Sequence, residues 1–328
     1  MRAFVTGASG FAGVSLCKVL SRDGHQVVGL ARASSNRRPL DELGITVVTG
    51  DIREPEGIAR AMEGSDVVFH LAAAFREARL SESDYTAVNV TGTENVIRAA
   101  ATARVRRFVH CSTIGVVGDT GSVPADETRA MDSADDPYNR SKIEGEVLAR
   151  RLFDELGLEG VVARPAAGYG PGEMRYLKLF TGIAKRRFIM FGSGETLYNL
   201  AFIDDLCRGL ILCGTHPRAA GQVFNLGAAE NTTLNRLAAE VARVVGRPSA
   251  SVPHVPLWPI IIAARMVEAL CRPFGIEPPL HRRRVGFFVV NRAMTISKAQ
   301  SMLGYSPRTT LPDGLRITAD WYRAQNLL

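Results

Sequence analysis

A chain of 328 residues with 46% hydrophobic side chains holds enough apolar material for one large α/β unit or two units sharing an interface, and its composition excludes a disordered or fibrous protein. The formal charge of +7 comes largely from short basic runs such as "RVRR" at 104–107 and "RRR" at 282–284. With no nucleic-acid motif beside them these runs read as solvated faces, so nucleic acid is not expected as a partner.

The five cysteines, at 17, 111, 207, 213 and 271, are odd in number and show no Cys-x-x-Cys spacing. That pattern suggests neither a disulfide framework nor a zinc site; no metal is expected, and reduced thiols point to the cytoplasm. The chain opens "MRAFVTGASG", which runs straight into a strand and leaves no room for a signal peptide.

The first strand, 3–6, feeds "TGASGFAG", in which Gly7, Gly10 and Gly13 are spaced three apart and open a helix over 11–22. A tight glycine turn lets backbone N–H groups approach a pyrophosphate, and the helix N-terminus adds partial positive charge. The second strand, 26–30, is followed by "ARASSNRR". An acidic residue there would suit the ribose hydroxyls of NAD. Arg32 instead suits a 2′-phosphate, with Ser34, Ser35, Arg37 and Arg38 behind it, so NADP is preferred and NAD is the alternative. After the third strand, 45–49, Asp51 can accept from an adenine amino group or cap the next helix.

Further strands are expected over 66–71, 107–112, 159–165 and 222–227, with amphipathic helices near 55–63, 84–103 and 140–157. Strands apolar throughout and separated by helices predict a doubly wound, mostly parallel Rossmann sheet covered on both faces. From about residue 166 the rhythm changes: loops lengthen, and helices are expected over 201–213 and 233–246. The expected division is a dinucleotide-binding unit of 1–165 plus about 201–228, and a smaller, mainly helical substrate cap of 166–200 plus 229–328. The longest apolar run, "PLWPIIIAA" at 256–264, is too short for the ~20 residues of a spanning helix, so no stable membrane insertion is expected. It can line a greasy pocket, lie on a membrane surface or form ordinary cap core.

"DPYNRSK" places Tyr138 four residues before Lys142, on one helical face. An ammonium beside a phenol stabilises phenolate and lowers its pKa from ~10 toward the working pH, so Tyr138 can exchange a proton with an alcohol while hydride moves on the same carbon. "CSTIGVVG" ends the fifth strand and offers Ser112 and Thr113 to hold the reacting oxygen.

Taken with "GDI" (50–52), "FHLAA" (69–73), "NVTGTENV" (89–96), "RPAAGYGPG" (164–172) and "FIDDL" (202–206), these segments, in this order, resemble the extended short-chain dehydrogenase/reductase family over nearly the whole chain. The resemblance implies Tyr138 as general acid/base, Lys142 as its electrostatic partner and holder of the nicotinamide ribose, and Thr113 as the catalytic hydroxyl. It implies cofactor contacts from the turn (Gly7, Ser9, Gly10, Phe11, Gly13), from Arg32, Asp51 and Ile52, from Leu71, Ala72 and Ala73, and from Asn89, Ser112 and Pro165. Phe75, Thr113, Ala167, Tyr198 and Arg284 are expected on the substrate side, His70 is expected to pack at its strand end, and a homodimer is implied.

Sugar-nucleotide members of the family commonly carry an asparagine where this chain has Ala167, and an arginine near Tyr198 and Asn199, where it has none. The branch expected is therefore the one resembling 3β-hydroxysteroid dehydrogenases and dihydroflavonol reductases. The resulting expectation is an NAD(P)-dependent oxidoreductase acting on a secondary alcohol or ketone, with a nucleotide-sugar 4-epimerase using retained NAD as the alternative.

Overall fold

Strands that are apolar on both faces need cover on both faces, and the fold provides it. In the computed structural model seven parallel strands form one sheet: β1 Arg2–Thr6, β2 Gln26–Ala31, β3 Thr46–Thr49, β4 Val67–His70, β5 Arg107–Cys111, β6 Glu159–Pro165 and a seventh, Val223–Leu226. Residues 1–75, 80–132, 136–247, 252–271 and 282–328 are described, without the side chains of 263–265, 268–270 and 282–284. Across the sheet the order runs Val223–Leu226, β6, β5, β4, β1, β2, β3. The winding reverses between β4 and β1, which opens a crevice at the carboxyl ends of those strands.

On one face, helices Phe11–Arg22 and Ile203–Thr215 bury Leu16, Leu20, Leu206 and Leu210 against Val5, Phe69 and Val109. On the other, Gly92–Thr102 and Pro137–Leu156 bury Ile97, Leu152 and Phe153 against Phe4, Val68 and Phe108. A third cluster gathers Tyr169, Phe180, Tyr198, Leu237, Val241, Leu315 and Tyr322. Met294, Ile296, Leu303 and Tyr305, from the C-terminal third of the chain, join the first cluster on the sheet.

The helices differ from expectation in instructive ways. The one expected over 55–63 is only Ile58–Met62, because Gly57 enters it at φ +81°. The one expected over 84–103 is broken into Glu82–Thr86, a π-helical segment Ala87–Thr91 and Gly92–Thr102. The wide turn carries Asn89 inward, a placement typical of π-bulges near functional sites. The helix expected from 140 begins at Pro137, with proline in its first turn and the Asp136 carboxylate accepting the Tyr138 N–H at 3.0 Å. Tyr138 is thereby fixed in the first turn, packed against Ala74 and Tyr85. Ahead of Ile203, Leu200–Phe202 is a strand paired with Ala167–Tyr169.

Candidate active site

The glycine turn is as tight as its spacing predicts. Gly7 stands at φ +68°, and a Cβ there would lie 2.7 Å from the Ala72 nitrogen; a Cβ on Gly13 would lie 2.1 Å from the Gly7 oxygen. The turn is thus pressed between the start of the first helix and the end of β4, and its backbone faces a cleft of about 270 Å³. Gly7, Ser9 and Gly10 form one wall of the cleft, Arg32, Asp51 and Ile52 another, and Leu71, Ala72 and Ala73 line it at the end of β4. A glycine-rich turn at a helix N-terminus, open to a cleft of this size, fits the pyrophosphate of a dinucleotide. Phe11 lies under Gly168 and Gly172, and so ties the turn to the strand Ala167–Tyr169.

Two arginines divide the roles at the cleft's far end. Arg53, which the sequence reading passed over, binds Asp51 through two hydrogen bonds of 3.0 and 2.6 Å, and this pairing holds the Asp51 carboxyl below its ordinary range. Its adjacency to "GDI" was the available signal. The Arg32 guanidinium makes no hydrogen bond or ion pair among the described residues, although its charge adds to the lowering of Asp51, whereas Arg37 donates to Thr49 and Arg38 pairs with Glu42.

His70 sits below the cleft, fully buried, between Thr6 at 2.8 Å and Thr93 at 3.0 Å. The Thr93 hydroxyl donates to the Asn89 carbonyl, so its oxygen accepts from the His70 Nε2–H. His70 Nδ1 then accepts from Thr6, whose oxygen in turn takes the Ala72 N–H at 3.2 Å. One histidine therefore ties the cleft lining at Ala72 to the π-helical segment. Burial pushes the His70 pKa down from 6.5 to about 3, with the Lys142 charge adding to the shift. The folded state keeps His70 neutral while the unfolded chain takes up its proton near pH 6.5. The stability this group contributes is therefore complete above that pH and is lost as pH falls toward 3. Urea denaturation from pH 7 to pH 4 is expected to show a steep loss of unfolding free energy that His70→Gln reduces; an equal slope in the variant would refute the buried neutral imidazole.

The helix Pro137–Leu156 aims Tyr138, Ser141, Lys142, Gly145 and Glu146 inward, all of them buried. Tyr138 lies among Ala74, Tyr85 and Phe75, whose ring meets it edge-on at 5.0 Å between centroids. One turn on, the Lys142 ammonium donates to the Cys111 carbonyl at 2.7 Å, at the end of β5. Burial lowers the Lys142 pKa from its ordinary value, opposed by Cys111 and Glu146. Thr113 follows in the same strand-end loop. Its oxygen accepts the Gly115 N–H at 3.1 Å, leaving its own proton to donate, and Gly115 packs on Asn139, the neighbour of Tyr138. The structure thus brings Thr113, Tyr138 and Lys142 to the same end of the sheet.

Two residues expected at the cofactor direct their side chains elsewhere. The Ser112 hydroxyl is donated to Glu146 at 2.6 Å, and Glu146 is clamped by Arg164, 2.6 Å away at the closest and likewise fully buried. The Asn89 amide holds Ala74 through both backbone groups, at 2.8 and 3.1 Å, and donates to Ser141 at 2.9 Å. Both side chains are engaged in bracing the site from below. Glu146 and Arg164 were not foreseen, although Glu146 lies four residues past Lys142, on the same helical face. Pro165, at the end of β6, pairs with Leu226.

Of the residues expected on the substrate side, Phe75 is 41% exposed, and the Arg175 guanidinium lies 5.0 Å from its ring centroid. Arg175 is also held by Glu173 and donates to the Gly168 carbonyl. Ala167 begins the strand paired with Leu200–Phe202. The Tyr198 hydroxyl, expected at the substrate, donates to the Phe287 carbonyl and accepts from Arg292, both at 2.9 Å, so it is engaged inside the third cluster. Arg284 belongs to the helix Arg282–Val289, and its side chain lies outside the described residues.

With this geometry in hand, comparison with known proteins is informative. Residues 3–227 match the model of the NAD dependent epimerase/dehydratase family. A 4-hydroxy-2-methyl-3-oxo-4-farnesyl-3,4-dihydroquinoline-1-oxide ketoreductase of Stigmatella aurantiaca is 29% identical over 96% of this chain and 95% of its own length. A UDP-glucose 4-epimerase of Mycolicibacterium smegmatis is 31% identical over 98% of this chain and 99% of its own. The crystal structure of gox2253 superposes with a TM-score of 0.84 at 29% identity, covering 100% of this chain and 99% of that one.

Proposed function

The chain belongs to the NAD dependent epimerase/dehydratase family, within the extended short-chain dehydrogenases/reductases, and from that premise we propose that it is an NADP-preferring oxidoreductase interconverting a secondary alcohol and a ketone. The observation that carries this reading is the buried helical face that holds Tyr138 and Lys142 beside Thr113 at the carboxyl edge of the sheet. The cradle of Gly7, Gly10 and Gly13 would hold the pyrophosphate of the nicotinamide cofactor, which supplies or accepts hydride when bound. Thr113 donates a hydrogen bond from its hydroxyl to the substrate carbonyl oxygen and orients it. Tyr138 gives its phenolic proton to that oxygen in reduction and takes it back in oxidation. Lys142, with little water around it, favours the phenolate left behind. The exposed Phe75 ring beside Tyr138 supports a substrate with an apolar portion, as does the absence of a polar side chain at Ala167.

NADP over NAD is supported by Arg32, unpaired among the described residues on the cleft wall, and by neutralisation of Asp51 through Arg53. Arg32→Ala is expected to weaken NADPH binding by about tenfold or more, the scale of one lost charge-assisted contact, and to leave NADH nearly unchanged. Fluorescence titration of both nucleotides checks this, and an equal loss for each would sink the assignment.

A second reading, a nucleotide-sugar 4-epimerase with retained NAD, is favoured by the 31% identity to the Mycolicibacterium smegmatis enzyme. One experiment separates the two. The purified protein is incubated with NADPH and a panel of apolar ketones, and separately with UDP-glucose. Net NADPH consumption supports the reductase. Conversion of UDP-glucose to its 4-epimer without net redox change, by protein carrying tightly bound NAD, overturns it.

A further inference from the structure

The helix Leu257–Cys271 is apolar around nearly its whole circumference, yet none of its described side chains is buried. Trp258, Ile262 and Met266, four residues apart, form one stripe and are 67%, 49% and 60% exposed. Residues at that spacing share a helix face. The strand His254–Val255 leads into this helix and pairs with Met190–Phe191, and Leu257 packs on Gly192. Just before that pair the chain presents Lys185, Arg186 and Arg187, all exposed, and then Ile189, 40% exposed. The helix Arg282–Val289 packs against Leu257–Cys271, and the sequence from 257 to 289 contains five arginines against two glutamates.

An exposed apolar stripe, on a helix packed against a second helix that opens with three arginines in sequence, marks an interaction surface. At about 1.5 Å per residue the helix is roughly 22 Å long, short of the ~30 Å hydrocarbon core, so it can lie in a bilayer interface but cannot cross. A second copy of this chain would bring two arginine-rich helix pairs together in a protein of net charge +7, which disfavours self-association through this face. We propose that the helix Leu257–Cys271 docks the protein on an anionic phospholipid surface, with Trp258, Ile262 and Met266 entering the boundary between headgroups and acyl chains and Lys185, Arg186 and Arg187 meeting lipid phosphates. This docking does not depend on the reaction assigned above, and its test needs no substrate.

The full-length protein is sedimented with vesicles of phosphatidylglycerol and phosphatidylcholine, and with phosphatidylcholine alone, at low and high salt. Binding is expected to the anionic vesicles, weakened by salt, with a blue shift of Trp258 fluorescence read in a Trp321→Phe background. The triple variants Trp258→Ser/Ile262→Ser/Met266→Ser and Lys185→Gln/Arg186→Gln/Arg187→Gln are each expected to lower partitioning by about tenfold or more while keeping NADPH binding and the melting temperature. The proposal is overturned if anionic vesicles do not retain the protein, or if both variants bind as the parent does. It is equally overturned if light scattering shows that the stripe variant splits an oligomer of a parent that does not bind vesicles, which would assign the stripe to self-association.

Discussion

Replacing Tyr138 by phenylalanine is expected to lower turnover with NADPH and a ketone by about 10²- to 10⁴-fold, the usual contribution of a positioned general acid, while leaving NADPH affinity nearly unchanged. The substitution removes one oxygen and keeps the ring that packs against Phe75, Tyr85 and Ala74, so these ring contacts are retained. A structural role alone predicts the reverse pattern: a lower melting temperature and activity scaling with the folded fraction. Stopped-flow absorbance of NADPH, read beside fluorescence binding and thermal unfolding, distinguishes the two. Activity retained within about threefold would remove Tyr138 from the chemistry and with it the oxidoreductase reading.

The second large effect concerns stability. Glu146 and Arg164 form a pair with side chains 0% and 2% exposed, and Glu146 also accepts a hydrogen bond from the Ser112 hydroxyl. Arg164 additionally donates to the Glu127 carbonyl, whose side chain caps the Asn225 N–H. Glu146→Ala leaves a guanidinium buried without a counter-charge and is expected to destabilise the protein by about 3–5 kcal/mol. Replacing both partners with methionine removes both charges together and is expected to cost less than either single change. Denaturant unfolding of the two single variants and the double variant checks this, and additive losses would show that the pair is not the unit. Since Glu146 sits one turn beyond Lys142, its loss is also expected to loosen the helix that aims Tyr138 and so to reduce turnover beyond the folded fraction.

These two sites differ in how far the linear chain announced them. Tyr138 and Lys142 could be found because helical periodicity puts positions i and i+4 on one face and because a strand-end threonine precedes them. The glycine turn could be found because at Gly7 and Gly13 only a residue without Cβ fits, 2.7 and 2.1 Å from backbone atoms. The strands came through for a similar local reason: parallel strands covered on both faces read as unbroken apolar runs.

The sequence by itself determined the parallel sheet, the tight glycine turn and the face that carries Tyr138 and Lys142, since each follows from steric or periodic rules acting over a few neighbouring residues. Only the tertiary structure decided that Ser112 and Asn89 brace the site from beneath, that the Tyr198 hydroxyl is engaged by Phe287 and Arg292, that Arg53 neutralises Asp51, and that the Leu257–Cys271 helix keeps its apolar stripe outside the core. A hydroxyl, an amide or an apolar helix can take several partners at similar free energy. The choice among them belongs to whatever the fold brings within reach, and most of those partners lie dozens of residues away along the chain.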